Sequence, residues 1–464
     1  MKSALKLSFN YTYPTTMKIS DQINEIFQHL SQPIYAYDGE VFTVADAQTT
    51  IEHLQAEVDS QAPFVALRTH SPFVLFCFML LAWQNEQVPL FLDPALREEV
   101  KCLDDFKPVV PLYTDIPSKV EHKFQLISAQ GAQNNSDFWP VFPAAEAYCL
   151  GFFTSGSEGD TKVVLKKTRQ IISELEVLLE LLPLDSGLKS LSFVPPYHIY
   201  GFLFGEMLPL LSGGTAYFAT GKVILDMTQE LKRVKPGMVV ASPIHYQILL
   251  KELRQGVSIP PATYVSSGAP LAPSLIDEFR SMTDISILQI YGSTETGGIA
   301  YRSDDDIWQP LPQVDVRVKG PDTVIQVRSP WSNTACPDLW ETTTDVGEME
   351  APGFRLIGRL GTLMKFRGKR LSSLEVENML CLGPGVKEAA VTTADVLGEE
   401  QLIAFIVPVA GVVLNKSELQ NFLQQRLAPY KVPRIIKIVA SIPKRAMGKY
   451  DYKQLAKIVN QGNE

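Results

Sequence analysis

The chain has 464 residues, 45 % of them apolar and 20 % charged, with a formal net charge of −9, a balance ordinary for a globular protein. That length calls for more than one core at about 100–200 residues per domain, and the acidic balance excludes a broad nucleic-acid footprint, which needs clustered Lys and Arg to displace counterions. Five scattered cysteines, Cys77, Cys102, Cys149, Cys336 and Cys381, have neither metal-like spacing nor the density of a disulfide scaffold, and they suit a reducing cytoplasm.

Taken in chain order, Lys2 and Lys6 are followed by polar, turn-prone residues, so no secretory signal is expected. The run PFVLFCFMLLAW (72–83) is too short for the ~20 residues that span a bilayer; it reads as a buried helix, without stable membrane insertion. Apolar, β-rich runs at 63–67, 88–92, 148–153, 190–194, 215–219, 238–242 and 286–290 alternate with helix-length segments, the pattern of parallel strands joined by crossover helices. From about 302 the texture changes: VDVRV (314–318), TVIQVRS (323–329) and FRLIG (354–358) predict a smaller β-rich subdomain ending near 358. The stretches 130–136 and 329–337 read as loops with no chemistry of their own.

The two glycines of GRLG (358–361) suit a joint, which places a domain boundary there, with residues 1–358 as the large domain, 359–464 as the small one and the hinge near Gly361. Beyond it the order is strand 363–367, helix 372–382, strands 389–393 and 402–409, helix 416–427 and strand 434–439. The fold class expected is α/β: a large N-terminal domain of parallel-rich sheets flanked by helices plus a β-rich subdomain, with a small mobile α+β C-terminal domain.

One segment carries chemistry visibly. The apolar run 148–153 enters TSGSEGDTK (154–162), which gathers Thr154, Ser155, Gly156, Ser157, Gly159 and Lys162 in one loop. Such a loop can aim N–H groups and hydroxyls at phosphate oxygens, with Lys adding a point charge. Its spacing is not that of a P-loop.

TSGSEGDTK resembles the T-S-G-S-T-G-x-P-K motif of the acyl-adenylating superfamily, which includes acyl-CoA synthetases and aryl-CoA ligases. Further segments follow in that family's order. VPPYHIYGFLFGEMLPLLSGGT (194–215) is similar to the segment whose His gates the acyl tunnel, SSGAPL (266–271) to the adenine-binding turn, and YGSTETG (291–297) to Y-G-x-T-E. TTDVGE (343–348) resembles T-G-D-x-G, GRLGTLMKFRGKRLSSLEVE (358–377) the hinge and the lysine-glycine loop after it, and the segment 427–455 the end that carries the catalytic P-K-x-x-x-G-K.

The resemblance implies that Lys449 brings the acid carboxylate to the α-phosphate of ATP, with Thr294 near that phosphate and His198 capping the acyl tunnel. It implies Glu295 as the Mg²⁺ ligand and Asp345 as acceptor for the ribose hydroxyls, with Arg359 as a second ribose or phosphate contact. Tyr291 lies on the adenine, and Gly268 and Ala269, between Ser267 and Pro270, pass beneath it; Gly292 and Ser293 belong to the same nucleotide site, and Lys162 and Lys365 add cationic contacts. Three positions depart from the motif: Glu158 stands for Thr, Thr161 for Pro and Gly361 for Asp or Lys.

The implied reaction joins a carboxylic acid to ATP as acyl-AMP, then passes the acyl group to the phosphopantetheine thiol of coenzyme A or an acyl-carrier protein. Tyr197 and His198 stand where peptide-synthetase adenylation domains place an Asp, which favours a fatty, hydroxy-fatty or aryl acid over an amino acid. Two alternatives stay open from sequence: a non-catalytic acyl-nucleotide sensor, and an adenylate-forming enzyme with an amine or hydroxyl acceptor.

Overall fold

The run 72–83 folds as the helix Pro72–Gln84, with Ser71 capping its N-terminus and eleven of its thirteen side chains buried. A helix apolar all round belongs inside a core, and this one packs in the largest cluster, where its Trp83 indole donates to the Cys149 carbonyl at 2.7 Å. In the computed structural model the described residues are 28–29, 31–95, 98–103, 110–114, 124–126, 142–155, 161–182, 184–219, 227–303, 305–320, 323–333, 339–359, 363–366, 369–381, 383–396, 399–409, 411–425, 427–443 and 454–455. None of the described helices is long and apolar enough to cross a membrane, and Cys77, Cys102, Cys149 and Cys381 are free thiols.

Two sheets form the N-terminal part. The six-stranded one runs in the order Phe124–Leu126, Leu112–Thr114, Phe64–Arg68, Val88–Phe91, Tyr148–Ser155, Thr161–Lys167, parallel except for the antiparallel last pair. The nine-stranded one runs Gln309–Pro310, Gly297–Arg302, Ile287–Ser293, Thr263–Ser266, Met238–Ala241, Lys189–Ser192, Thr215–Phe218, Pro33–Tyr37, Glu40–Thr43. Its centre is parallel, so strands buried on both faces read as continuous apolar runs, as Met238–Ala241 does. The early strand Pro33–Tyr37 pairs in parallel with Thr215–Phe218 and covers that side of the sheet, with Glu40–Thr43 folded back on it.

The expected change of texture after 302 is a four-stranded antiparallel meander: Asp315–Lys319, Val324–Arg328, Glu341–Glu350 and Gly353–Arg359. Its longest strand, Glu341–Glu350, carries Asp345, Gly347 and three Glu residues, which strands disfavour, so it is not read as a strand from sequence. The C-terminal segments give the strands Val386–Val396, Glu399–Pro408 and Ile435–Ile438 in one sheet, with the helices Ser373–Cys381 and Lys416–Gln424 sharing an apolar cluster with it.

Within the largest core the π-helical segment Gly201–Met207 buries Glu206, whose carboxyl accepts a hydrogen bond from the Tyr35 hydroxyl. Burial pushes the Glu206 pKa up to about 8, against the lowering by Tyr35. A carboxyl raised in the folded state contributes stability that is full below the unfolded pKa and is lost as pH rises through the folded one. Glu206→Gln is therefore expected to melt progressively higher relative to wild type between pH 5 and pH 8, by up to a few kcal/mol; a difference in midpoint that stays constant over that range in thermal unfolding would refute this.

Candidate nucleotide site

Parallel register sets the site's position. Val240 pairs with Ser192, Ala241 with Ser266 and Ser266 with Gln289, so three strands end within a residue of one another while Ile287–Ser293 runs on past them, and the residues beyond this line share one edge of the nine-stranded sheet. The carboxyl ends of parallel strands are where open α/β sheets bind ligands. Along this edge lie His198, the turn Ser267–Gly268–Ala269–Pro270, Tyr291 and Ser242. Gly268 has φ +87°, a left-handed conformation that glycine adopts without cost, and the Ser267 hydroxyl ties this turn to the next strand through the Ile290 carbonyl at 2.9 Å.

TSGSEGDTK is not one loop. Thr154 and Ser155 end the strand Tyr148–Ser155, Thr161 and Lys162 begin the strand Thr161–Lys167, and the two pair as an antiparallel hairpin with Thr154 opposite Lys162. Gly156, Ser157, Glu158 and Gly159 lie outside the described residues. The Thr154 hydroxyl is buried and has no hydrogen-bond partner among the described residues, a state that costs about 1–3 kcal/mol and fits a ligand oxygen.

The hairpin meets the nine-stranded sheet at the turn 294–296. The Lys162 ammonium is 2.6 Å from Glu295 Oε1. Burial pushes the Glu295 pKa up, but Lys162 and the hydrogen bonds around it outweigh this and hold the carboxylate below its usual range. Thr294 sits half-buried in the same turn, and Ser293 and Thr296 close it, each backbone N–H donating to the other's hydroxyl at 3.1 Å. Among the described residues no group of three or more His, Cys, Asp or Glu could hold a metal ion. The donor at Glu295, one hard, part-exposed carboxylate, is of the kind that binds Mg²⁺, which takes one or two carboxylates together with phosphate and water oxygens.

A second convergence joins three distant motifs. The Tyr291 hydroxyl donates to Asp345 Oδ2 at 2.7 Å, and Arg359 Nε donates to Oδ1 at 2.7 Å across a cross-strand pair. Asp345 is buried while Arg359 is exposed. Burial and the Asp345 charge hold the Tyr291 phenol well above its ordinary pKa, and its ring is clamped by Trp308 at 5.5 Å and Phe354 at 6.1 Å. Each Asp345 oxygen keeps a second lone pair for a further donor.

His198 follows the strand Lys189–Ser192, its side chain reaching the surface and its ring edge-on to Tyr197 at 4.9 Å; desolvation of the ring lowers its pKa against the opposing pull of Asp93. Lys365 falls on the strand Leu363–Phe366. Gly361 and Lys449 lie outside the described residues.

Sequence reading missed two buried charges behind the turn. Lys166, four residues along the strand from Lys162 and thus on the same face, donates to the Glu295 carbonyl at 2.9 Å and the Trp331 carbonyl at 3.1 Å. Glu174, on the helix Thr168–Leu181, accepts the Gly298 N–H at 2.7 Å. Burial lowers the Lys166 pKa to about 8, opposed by Glu174, and raises that of Glu174 to about 7, opposed by Lys166. The available signal was Glu174 itself: Ile171, Glu174, Leu175 and Leu178 form one buried helical stripe, and a carboxylate on such a stripe needs a partner. The segment 329–333, expected to be a plain loop, instead straps this region, with Trp331 fully buried, its indole on the Gly298 carbonyl at 2.8 Å, and the Asn333 N–H on the Glu295 carbonyl at 3.0 Å.

The family model described as AMP-binding enzyme matches residues 65–338, and that of the AMP-binding enzyme C-terminal domain matches 375–449. A probable CoA ligase of Humulus lupulus is 25 % identical over 76 % of this chain and 71 % of its own length. A 4-coumarate–CoA ligase-like protein of Oryza sativa is 27 % identical over 66 % and 62 %, and a 3,4-dihydroxybenzoate–[aryl-carrier protein] ligase of Bacillus anthracis 26 % identical over 69 % and 77 %. Among solved structures, o-succinylbenzoate CoA synthetase of Bacillus subtilis with its acyl-adenylate intermediate superposes with a TM-score of 0.79 at 19 % identity, covering 94 % of this chain and 97 % of that one; the fold is shared.

Gly297 tests the packing of the turn. It has φ +66°, and a Cβ there would lie 2.4 Å from Trp331 Cδ1 and 2.6 Å from Glu174 Oε2. Gly297→Ala combines a left-handed alanine with overpacking and is expected to destabilise the protein by roughly 2 to 4 kcal/mol, read as a lowered denaturation midpoint; an unchanged midpoint would mean the turn is loosely held.

Proposed function

The chain belongs to the AMP-binding enzyme family, and from that premise we propose that it is an AMP-forming acid–thiol ligase. It activates a carboxylic acid with Mg·ATP to acyl-AMP and pyrophosphate, then transfers the acyl group to the thiol of coenzyme A or an acyl-carrier protein. The observation that carries this reading is the Tyr291–Asp345–Arg359 chain, which brings an aromatic ring, a buried carboxylate and an exposed guanidinium from three separate motifs to one place suited to a nucleoside.

In this reading the remaining Asp345 lone pairs take the ribose hydroxyls, the ring of Tyr291 and the Ser267–Pro270 turn flank adenine, and the Thr154 hydroxyl takes a phosphate oxygen. Glu295 would hold magnesium in place of its contact with Lys162, and the ion would supply the neutralisation of phosphate charge that in-line attack needs; Lys162 would then meet the phosphates. Lys449, from a small mobile domain beginning near residue 359 and hinged at Gly361, sets the acid carboxylate against the α-phosphorus, offsetting the repulsion of two anions. After rotation of that domain the thiol attacks the acyl-AMP carbonyl and AMP leaves. His198, at the mouth of the same sheet edge, caps the acyl tunnel. The acid is fatty, hydroxy-fatty or aryl, because no carboxylate stands at Tyr197 or His198 to pair with an ammonium. Free thiols among the described cysteines suit a cytoplasmic setting.

The test is ATP–pyrophosphate exchange across a panel of fatty, hydroxy-fatty and cinnamic-type acids; exchange with none of them would favour a nucleotide sensor. Lys449→Ala is expected to cut acid-dependent exchange by about 100-fold or more with an unchanged melting curve, and near-normal exchange would place the catalytic cation elsewhere. Asp345→Ala is expected to raise the KM for ATP by roughly tenfold or more, the loss of a hydrogen bond to a charged group; an unaltered KM would remove Asp345 from the ribose site.

A further inference from the structure

Lys166 is 1 % exposed and Glu174 2 %. Packing alone does not explain them, since buried opposite charges are commonly no more stable than apolar residues of the same volume. What an ammonium adds is direction. Of the three Lys166 donors, two go to the carbonyls of Glu295 and Trp331, so one group grips the turn and the strap beside it together. The Glu295 carbonyl also accepts from the Asn333 N–H, and Gln170 and Arg169, neighbours of Lys166 in sequence, hold the Ser332 and Pro330 carbonyls at 2.6 and 3.0 Å. On the far side of the turn, Glu174 fixes the Gly298 N–H and Trp331 the Gly298 carbonyl. The backbone of residues 295–298 is thus held at both ends, while the Glu295 side chain is left partly open to solvent on the Lys162 side.

We propose that Lys166 is a positioning residue for Glu295: its buried ammonium, with Glu174 as counter-charge, fixes the turn so that the Glu295 carboxylate is aimed at the divalent ion before nucleotide binds. This rests on the reading of Glu295 as the metal ligand, and it gives the inner lysine a task distinct from that of Lys162. Outer partners that orient a metal ligand typically change metal affinity 10–100-fold when removed.

The experiment compares wild type, Glu295→Gln, Lys166→Met and Lys166→Arg in three measurements: Mn²⁺ binding to the enzyme–ATP complex by electron paramagnetic resonance, ATP affinity in EDTA, and the melting midpoint. Lys166→Met is expected to weaken Mn²⁺ binding by about tenfold or more while ATP affinity in EDTA stays at the wild-type value, with Lys166→Arg, which keeps a buried donor, in between. If Lys166→Met does not fold, Lys166→Arg carries the test, and its Mn²⁺ affinity must fall by more than its metal-free ATP affinity. A lowered melting midpoint with unchanged Mn²⁺ affinity overturns the proposal and leaves Lys166 a packing residue. If Glu295→Gln itself leaves Mn²⁺ binding unchanged, it is the reading of Glu295 that fails.

Discussion

The strand Thr161–Lys167 touches the turn 294–296 through two ammonium groups on one face, and the arrangement of the site depends on that contact. Lys162 and Lys166 both reach Glu295, one at its carboxylate and the other at its carbonyl. The outer contact is part-exposed, and such pairs contribute about 0–1 kcal/mol, so it is easily exchanged for another ligand. The inner contact is buried, and breaking a buried charge from its partners typically costs about 3–5 kcal/mol. The same residue is therefore fixed in its backbone and replaceable in its side-chain partner, which suits the metal-ligand role proposed for Glu295.

Much of this was legible along the chain because each element announces itself locally. The seven apolar runs read as strands all form strands, and 72–83 forms the buried helix. The short motifs also identified the positions that meet at the sheet edge: SSGAPL, YGSTETG and TTDVGE supply Ser267, Tyr291 and Asp345, which bond to one another or to neighbouring strands. Glycine-rich composition, on the other hand, disguised a hairpin as a loop, since register between Thr154 and Lys162 is a property of two strands and not of either one.

What sequence left dark is what depends on contact between distant segments. Lys166 reads as one of several lysines in TKVVLKK, and Trp331 as a residue in a polar loop; only the packing of the strap against the Thr168–Leu181 helix gives them partners. The strand Glu341–Glu350 is likewise formed by its neighbours, its polar residues tolerated because Asp345 and Thr343 are used by hydrogen bonds rather than by apolar burial. Where pairing energy comes from across the sheet, local propensity carries little of the signal.

The parallel strand at Pro33–Tyr37 has a consequence for how the protein is made and cut. It precedes the segment from 65 onward that the family model recognises, yet it lies against Thr215–Phe218 with its own outer side shielded by Glu40–Thr43. A fragment trimmed to the recognised region would leave the backbone donors and acceptors of Thr215–Phe218 bare, an open template for intermolecular pairing and precipitation. During synthesis the same strand must wait until some 180 further residues have emerged before its partner exists (Tyr35 pairs with Ala216), a long-range closure of the kind that slows folding.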